Sequence, residues 1–110
     1  MLLFYYMKRF KAIVDLKIFL QSQKINNKSI GFIPTMGGLH EGHESLISRS
    51  KKENHITVVS IYVNPAQFED NNDFTNYPRN IKLDLARLKK LNCDIVFYPT
   101  TQEMYEKHTH

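Results

Sequence analysis

The stretch SIGFIPTMGGLHEGH, residues 29–43, decides the fold, because it joins a short apolar run to a glycine-rich turn and then to a helix start. The apolar run predicts a buried strand. Gly37 and Gly38 lack β-carbons, so the backbone can turn sharply there and a bulky ligand can approach it. His40 and His43 are three positions apart and would project to the same side of a first helical turn.

Helices and strands alternate on both sides of this stretch. Apolar residues at Ala12, Leu16, Phe19 and Leu20 have helical spacing, whereas ITVVSIYV at 56–63 is almost wholly β-branched or aromatic. The predicted elements are a helix over 12–23, the strand over 29–34, a helix over 43–53, a strand over 56–63, a helix over 80–91, a strand over 94–98 and a short helix after Thr100. Thr100 and Glu103 have the spacing of a capping box. The apolar heptad at 1–7 is either an extra strand or the result of a mis-assigned start of the protein.

This alternation predicts an α/β fold, namely a Rossmann-like parallel sheet with flanking helices and right-handed crossovers. With three strands it would be incomplete, equivalent to half of a doubly wound sheet. Ligands of such sheets bind where loops leave the carboxyl ends of the strands. The two distinctive loops, 34–42 and 64–72, both follow strands and should meet at that edge.

Composition bounds the class of protein. With 110 residues, 42% of them hydrophobic and 24% charged, the chain should fold as one domain. The formal charge of +4 is spread along the chain, which predicts no nucleic-acid partner. No apolar run approaches a membrane span, and the single Cys93 excludes an internal disulfide and fits a small core residue. We therefore expect a cytoplasmic protein without a membrane partner.

The turn and the helix start together predict an anion site. Helix N-termini attract anions through unpaired N–H groups and the helix dipole, so the main-chain amides of the turn and two imidazoles could face a triphosphate. Each histidine alone is more typical of a solvated or capping residue. His-x-x-His supplies only two ligands, so no metal site is predicted. The pattern is neither a Walker A loop nor a dinucleotide-binding glycine fingerprint.

PTMGGLHEGH at 34–43 strongly resembles the nucleotide-binding signature of the pantothenate synthetase (pantoate-beta-alanine ligase) family, within the HxGH nucleotidyltransferase superfamily. SIYVNPAQF at 60–68 and YPRNIKLDLARLKKLNCDIVFYPTTQEMY at 77–105 match the same family in order and spacing. The resemblance implies an AMP-forming ligase. Such an enzyme uses ATP and Mg²⁺ to convert pantoate to pantoyl adenylate, and beta-alanine then displaces AMP to give pantothenate.

The resemblance also assigns residues. It implies an ATP site formed by Met36, Gly37, Gly38, Leu39, His40, Glu41, Gly42 and His43. His40 and His43 would contact phosphates and act in catalysis, with His43 matching the proton donor. Met36 and Gln67 would bind pantoate, and a neutral amide suits a hydroxyl or carboxylate. From the residues themselves, Asn64 is expected to order its loop and could touch a ligand. Arg79 could bind phosphate, although an arginine at a helix entry more often pairs with an acidic residue, here Asp84 or Asp73.

The resemblance departs at the end of the chain. Family members are more than twice as long, and their later segments supply further phosphate and magnesium ligands and a lid domain. Residues 1–110 are therefore expected to be a partial nucleotide-binding domain without the lid, with little ligase activity alone and with a tendency to form homodimers. Two alternatives remain open, which are a nucleotide-binding module without chemistry and another HxGH nucleotidyltransferase. VNPAQF at 63–68 disfavours the second.

Overall fold

Four parallel strands form one sheet within the residues that the computed structural model describes, which are 6–68, 70 and 80–108. The strands are β1 (Lys8–Phe10), β2 (Ile30–Thr35), β3 (Ile56–Ile61) and β4 (Ile95–Phe97), and their order across the sheet is β1-β4-β3-β2. β2 pairs with β3 over its full length, from Ile30 opposite Ile56 to Thr35 opposite Ile61. The parallel Rossmann-like architecture predicted from the sequence is thereby confirmed.

The helices lie close to their predicted positions. They are α1 (Ile13–Ile25), α2 (Glu41–Glu53), α3 (Ile81–Lys90) and α4 (Thr101–His108), and a 3-10 turn at Pro65–Gln67 follows β3. β3 ends two residues earlier than the predicted strand, because the chain turns away toward this 3-10 turn. No helix in the described ranges has the length and apolar character needed to cross a membrane.

β1 is the strand that the sequence prediction lacked. It is three residues long, and its register sets Lys8 beside Ile95 and Phe10 beside Phe97. Two of its residues are charged and exposed, so the segment has no apolar alternation from which a strand could be recognised. β1 begins directly after the heptad at 1–7, whose last residue, Met7, is buried in the core; residues 1–5 lie outside the described residues, so the prediction of an extra strand there stays a prediction.

Helices cover the two faces of the sheet unequally. Successive side chains of a strand point to opposite faces, so each strand contributes to two clusters. The α2–α3 face carries the larger cluster, made of Met7, Ile33, Leu39, Ile47, Val59, Ile61, Leu88, Cys93 and Val96. The α1–α4 face carries a smaller one of Leu16, Val58, Ile95 and Phe97, against which Phe10, Phe19 and Met104 also pack. Phe32 of β2 lies 52% exposed.

The predicted capping box at Thr100 and Glu103 is half correct. The Thr100 hydroxyl accepts the Glu103 N–H at 3.0 Å, as an N-cap should. The Glu103 carboxylate, however, accepts the main-chain N–H of Ile13 at 2.9 Å, at the first turn of α1. The acidic side chain therefore caps a neighbouring helix rather than its own, and this contact joins α4 to α1.

Candidate functional site

The glycine turn after β2 is held by hydrogen bonds to side chains on two other parts of the chain. Gly37 (φ 83°) and Gly38 (φ 62°) both adopt left-handed backbone conformations that favour glycine. The Gly37 N–H donates to the Thr35 hydroxyl at 3.1 Å. The N–H groups of Gly38 and Leu39 donate to the two carboxylate oxygens of Asp84 at 3.1 and 3.0 Å. The turn is therefore rigidly tied to α3.

The two histidines cap α2 reciprocally. His40 is the N-cap, and its Nδ1 accepts the Gly42 N–H at 3.1 Å, while the Nδ1 of His43 accepts the His40 N–H at 3.2 Å. The ring centroids lie 4.2 Å apart. Because each Nδ1 accepts a main-chain hydrogen bond, each neutral ring carries its proton on Nε2. The pair thus offers two N–H donors to a ligand.

Gly42 is needed for this arrangement. A β-carbon added there would lie 2.9 Å from Cε1 of His40, which is closer than such contacts normally occur. Gly42 belongs to the segment that is expected to bind the nucleotide. In the structure the group that approaches its backbone is the imidazole of His40.

His43 is the better candidate for proton transfer. Burial lowers the pKa of His43 from its ordinary value of 6.5, and the neighbouring His40 lowers it further, while the negative charge of Asp84 opposes both effects. The neutral form of His43 therefore predominates at pH 7 in the absence of ligand. A polyanion bound nearby would favour protonation of the ring at Nδ1, in place of the hydrogen bond from the His40 N–H, and the protonated ring can then give its Nε2 proton to a leaving group.

The expectation that turn amides face a triphosphate needs correction. The N–H groups of Gly37, Gly38, Leu39 and His40 all donate to protein side chains, so they are satisfied before any ligand arrives. The Leu39 side chain, 5% exposed, belongs to the α2–α3 core. Glu41 is exposed in the first turn of α2. The imidazole Nε2–H groups are the side-chain donors that this segment can offer to a ligand.

A cleft of about 670 Å³ opens on the α1–α4 face at the carboxyl ends of β2 and β3. Met36 and His43 line it from the glycine turn, Asn64 from the loop after β3, and Phe32 from the uncovered part of β2. A second cavity of about 400 Å³ shares Met36 with this cleft and is also lined by Gly37 and Asp84. The structure thus brings both predicted loops to one cleft.

The loop after β3 is shaped by Asn64. Its side-chain oxygen accepts the Ala66 N–H at 3.0 Å and the Tyr105 hydroxyl at 2.7 Å, which confirms the predicted loop-ordering role. Gln67 ends the 3-10 turn that follows. Its side chain and the whole of Arg79 lie outside what the structure describes, so their predicted contacts stay predictions.

Sequence reasoning missed two residues of the site region. Asp84 was considered only as a partner of Arg79, yet it is 4% exposed and accepts two main-chain N–H groups of the turn. Tyr105 was not singled out at all. Both act across more than forty positions of sequence, so no local spacing could have indicated them.

Potential metal ligands and the single cysteine complete the description of the site region. Within the described ranges, no group of three or more His, Cys, Asp or Glu side chains could hold a metal ion. Cys93 is fully buried, and burial raises the pKa of its thiol to about 11, so the reactive thiolate is scarce at neutral pH.

Comparison with known proteins identifies the family. The family model described as pantoate-beta-alanine ligase matches residues 8–110. The chain belongs to this family. Pantothenate synthetase from Fervidobacterium nodosum is 54% identical over 90 residues, covering 81% of this chain and 32% of that protein. Pantothenate synthetase from Thermosipho africanus is 50% identical, with the match covering 90% of this chain and 36% of that protein. The chain therefore spans about a third of these curated relatives.

Solved structures of the family share the fold. Pantoate-beta-alanine ligase from Francisella tularensis, complexed with beta-gamma ATP and beta-alanine, superposes with a TM-score of 0.87 at 40% identity, covering 92% of this chain and 38% of that one. Pantothenate synthetase from Thermus thermophilus gives a TM-score of 0.83 at 36% identity, with coverage of 94% and 36%. The described residues thus correspond to a part of these larger enzymes.

Proposed function

We propose that this chain supplies the nucleotide-binding cleft of an AMP-forming ligase that condenses pantoate with beta-alanine through a pantoyl adenylate. The observation that carries the proposal is that Met36, His43 and Asn64 line one cleft at the carboxyl edge of β2 and β3. Parallel sheets bind ligands at that edge. Family membership supplies the reaction, and the Francisella tularensis relative was crystallised with beta-gamma ATP and beta-alanine.

The histidine pair would bind the phosphates. Two Nε2–H donors on rings whose centroids lie 4.2 Å apart suit the oxygens of a triphosphate. As pyrophosphate leaves, negative charge grows on its oxygens, and hydrogen bonds to them strengthen. His43, neutral before binding, would act as the proton donor. Mg²⁺ enters the proposal only as the counter-ion that accompanies the ATP phosphates.

The remaining predicted residues would position pantoate. Met36 lines both cavities, so it can contact nucleotide and pantoate together. Gln67 would hydrogen-bond pantoate from the turn that Asn64 begins. The proposed nucleotide-binding segment also includes Gly37, Gly38 and Glu41. These residues would contribute through the conformation of their backbone.

Titration calorimetry with ATP and Mg²⁺ tests the nucleotide site. Replacing both His40 and His43 with alanine should weaken ATP binding at least tenfold, because both phosphate donors are lost. His55→Asn is the matched control, since His55 is exposed like His40 but hydrogen-bonds Ser29 at the opposite end of the strands. Equal affinity in the double variant and in wild type would contradict the proposal.

Assays of AMP and pyrophosphate release with ATP, pantoate, beta-alanine and Mg²⁺ test the chemistry. We expect little turnover from the 110-residue polypeptide, since it spans only about a third of its curated relatives. Turnover near that of a full-length relative would overturn this expectation. ATP binding without turnover favours the binding-module alternative, and adenylyl transfer to phosphopantetheine would favour another HxGH nucleotidyltransferase.

We further propose a cytoplasmic location and a homodimer. β2 is an edge strand of the described sheet and carries an exposed Phe32, which can support self-association. Analytical ultracentrifugation should detect dimers whose population rises with concentration, and a monomer at high concentration would contradict that. Fractionation of the source cells tests the location.

A further inference from the structure

Asp84 is a buried carboxylate that serves the glycine turn from a distance. It lies in α3, is 4% exposed, and accepts hydrogen bonds from Gly38 and Leu39, which are 46 and 45 positions earlier in the chain. A buried carboxylate is strongly unfavourable unless hydrogen bonds compensate its lost hydration. The two amides provide that compensation, so carboxylate and turn depend on each other.

The glycines make this contact possible. A β-carbon on Gly37 would lie 3.0 Å from Oδ2 of Asp84, and both Gly37 and Gly38 have left-handed backbone angles. Thr35 fixes the entrance of the turn by accepting the Gly37 N–H, and Asp84 fixes its exit. His40 follows directly after Leu39. The carboxylate therefore determines where the backbone leaves the turn and where the imidazole pair begins.

A second contact of α3 reaches α2 without touching the turn. Arg87 of α3 pairs with Glu44 of α2, with 3.4 Å between Nη1 and Oε2. Both side chains are partly exposed, at 51% and 34%, so water and salt weaken the pair. This contact offers a matched control for Asp84, because it separates the docking of α2 on α3 from the geometry of the turn.

We propose that Asp84 is a positioning residue for the nucleotide cleft: its carboxylate takes the place of an anion at the turn amides and thereby fixes the histidine pair before a ligand binds. The turn is thus already ordered when a ligand arrives, which is the advantage of a preorganised site. The positioning of the turn by Asp84 is inferred from the hydrogen bonds alone. Its consequence for ATP rests on the proposed function.

Hydrogen exchange measured by NMR on the 110-residue chain tests the geometry. In Asp84→Asn, one carboxylate oxygen becomes an amide donor that cannot accept a main-chain N–H. We expect the His40 and Gly42 amide protons, which donate to the imidazoles, to exchange at least tenfold faster. The nuclear Overhauser contacts between the two rings should also weaken. The core amides of Val58 and Val59 should be unaffected.

The control is Glu44→Gln, which removes the Arg87 pair and should leave exchange at His40 and Gly42 within twofold of wild type. If exchange at His40 and Gly42 in Asp84→Asn also stays within twofold of wild type, the proposal is overturned. If Asp84→Asn does not fold, hydrogen exchange of the Gly38 and Leu39 amides in the wild-type chain still tests the proposal. Gly38 and Leu39 amides that exchange as slowly as the core support the proposal, and exchange at the rate of an open turn overturns it.

Titration with ATP and Mg²⁺ separates this inference from the proposed function. Asp84→Asn should bind ATP at least tenfold more weakly than Glu44→Gln. If wild type does not bind ATP, the proposed function fails while the exchange data still judge Asp84. If wild type binds ATP and Asp84→Asn binds equally well, the positioning role fails alone.

Discussion

The two faces of the sheet are covered to different extents, and the candidate site lies on the less covered one. On the α2–α3 face, Ile47, Val59, Leu88 and Val96 are completely buried. On the α1–α4 face, the helices cover β4 well, but Phe32 of β2 is 52% exposed and lines the cleft. The densely packed face therefore supplies stability, and the open face supplies room for a ligand.

The histidine pair sits where these two regions meet. Its backbone is anchored on the packed face through Leu39 and Asp84, both nearly inaccessible to water. The His43 ring lines the cleft on the open face. A rigid anchor on one face thus presents polar groups to a cavity on the other, which is how binding sites are generally made precise.

The largest expected effect contrasts two neighbours on β2. Ile33 points into the α2–α3 core and is 9% exposed, whereas Phe32 points into the cleft. Ile33→Ala should lower the free energy of unfolding by about 2–5 kcal/mol, because it removes core contacts and leaves a cavity. Phe32→Ala should lower it by about 1 kcal/mol or less, mostly through strand preference.

Urea denaturation of both variants gives the comparison. Equal losses in the two variants would contradict the assignment of one packed and one open face. An unchanged denaturant slope would show that both variants unfold by the same transition as wild type.

Much of this fold could be predicted from local pattern, and its failures have physical causes. β2 and β3 were predicted because apolar and β-branched runs are buried on parallel strands, and α3 because Leu85 and Leu88 have helical spacing. β1 was missed because three residues, two of them charged, carry no such pattern. It forms only because β4 offers an edge to pair with.

The candidate site was predicted less completely than the fold. His40 and His43 could be found because a glycine turn and a helix start lie next to them in sequence. Asp84 and Tyr105 could not, since their partners are brought close only by the folded sheet. The expectation of free amides in the turn failed for the same reason, because the carboxylate that satisfies two of them comes from a distant helix.

A smaller effect is expected from the cap of α3, the helix that carries Asp84 on the packed face. The Asn80 side chain accepts the Leu83 N–H at 3.1 Å. Asn80→Ala should therefore lower the free energy of unfolding by about 1 kcal/mol. Lys82→Ala, an exposed change in the same turn, should stay within about 0.5 kcal/mol of wild type. A loss for Lys82→Ala as large as that for Asn80→Ala would argue against the cap.

A still smaller effect is expected on the open face, at the contact between α4 and the loop after β3. Tyr105→Phe removes the hydroxyl that donates to Asn64 at 2.7 Å. Tyr105 is 40% exposed, so the loss of stability should be about 0.5 kcal/mol, while exchange of the Ala66 amide should accelerate. Tyr6→Phe, at a 79% exposed site, serves as the control. Unchanged Ala66 exchange would mean that α4 does not order this loop.

The smallest expected effect is the pH dependence due to His43. Its pKa in the folded state is lowered below the ordinary value of 6.5, so on acidification the unfolded chain binds the proton first. This contribution therefore destabilises the fold as pH falls from above 6.5 through the lowered pKa, and it vanishes well above that range. His43→Gln keeps an acceptor for the His40 N–H without titrating.

Melting temperatures of wild type and His43→Gln, measured from about pH 8 to about pH 5 so that the ordinary histidine pKa lies inside the range, test this sign. The melting temperature of wild type relative to the variant should fall as the pH decreases. A constant or rising difference would contradict the assignment of a neutral, partly desolvated His43.

The most direct test of the whole account is an NMR titration of the chain with ATP and Mg²⁺, following backbone amides and imidazoles together. The largest shifts should fall on Met36, His43 and Asn64, which line the cleft on the open face, and on His40, whose ring lies against that of His43. Shifts concentrated instead on Lys8, Arg9 and Asp15, which line a separate groove between β1 and α1, would contradict it.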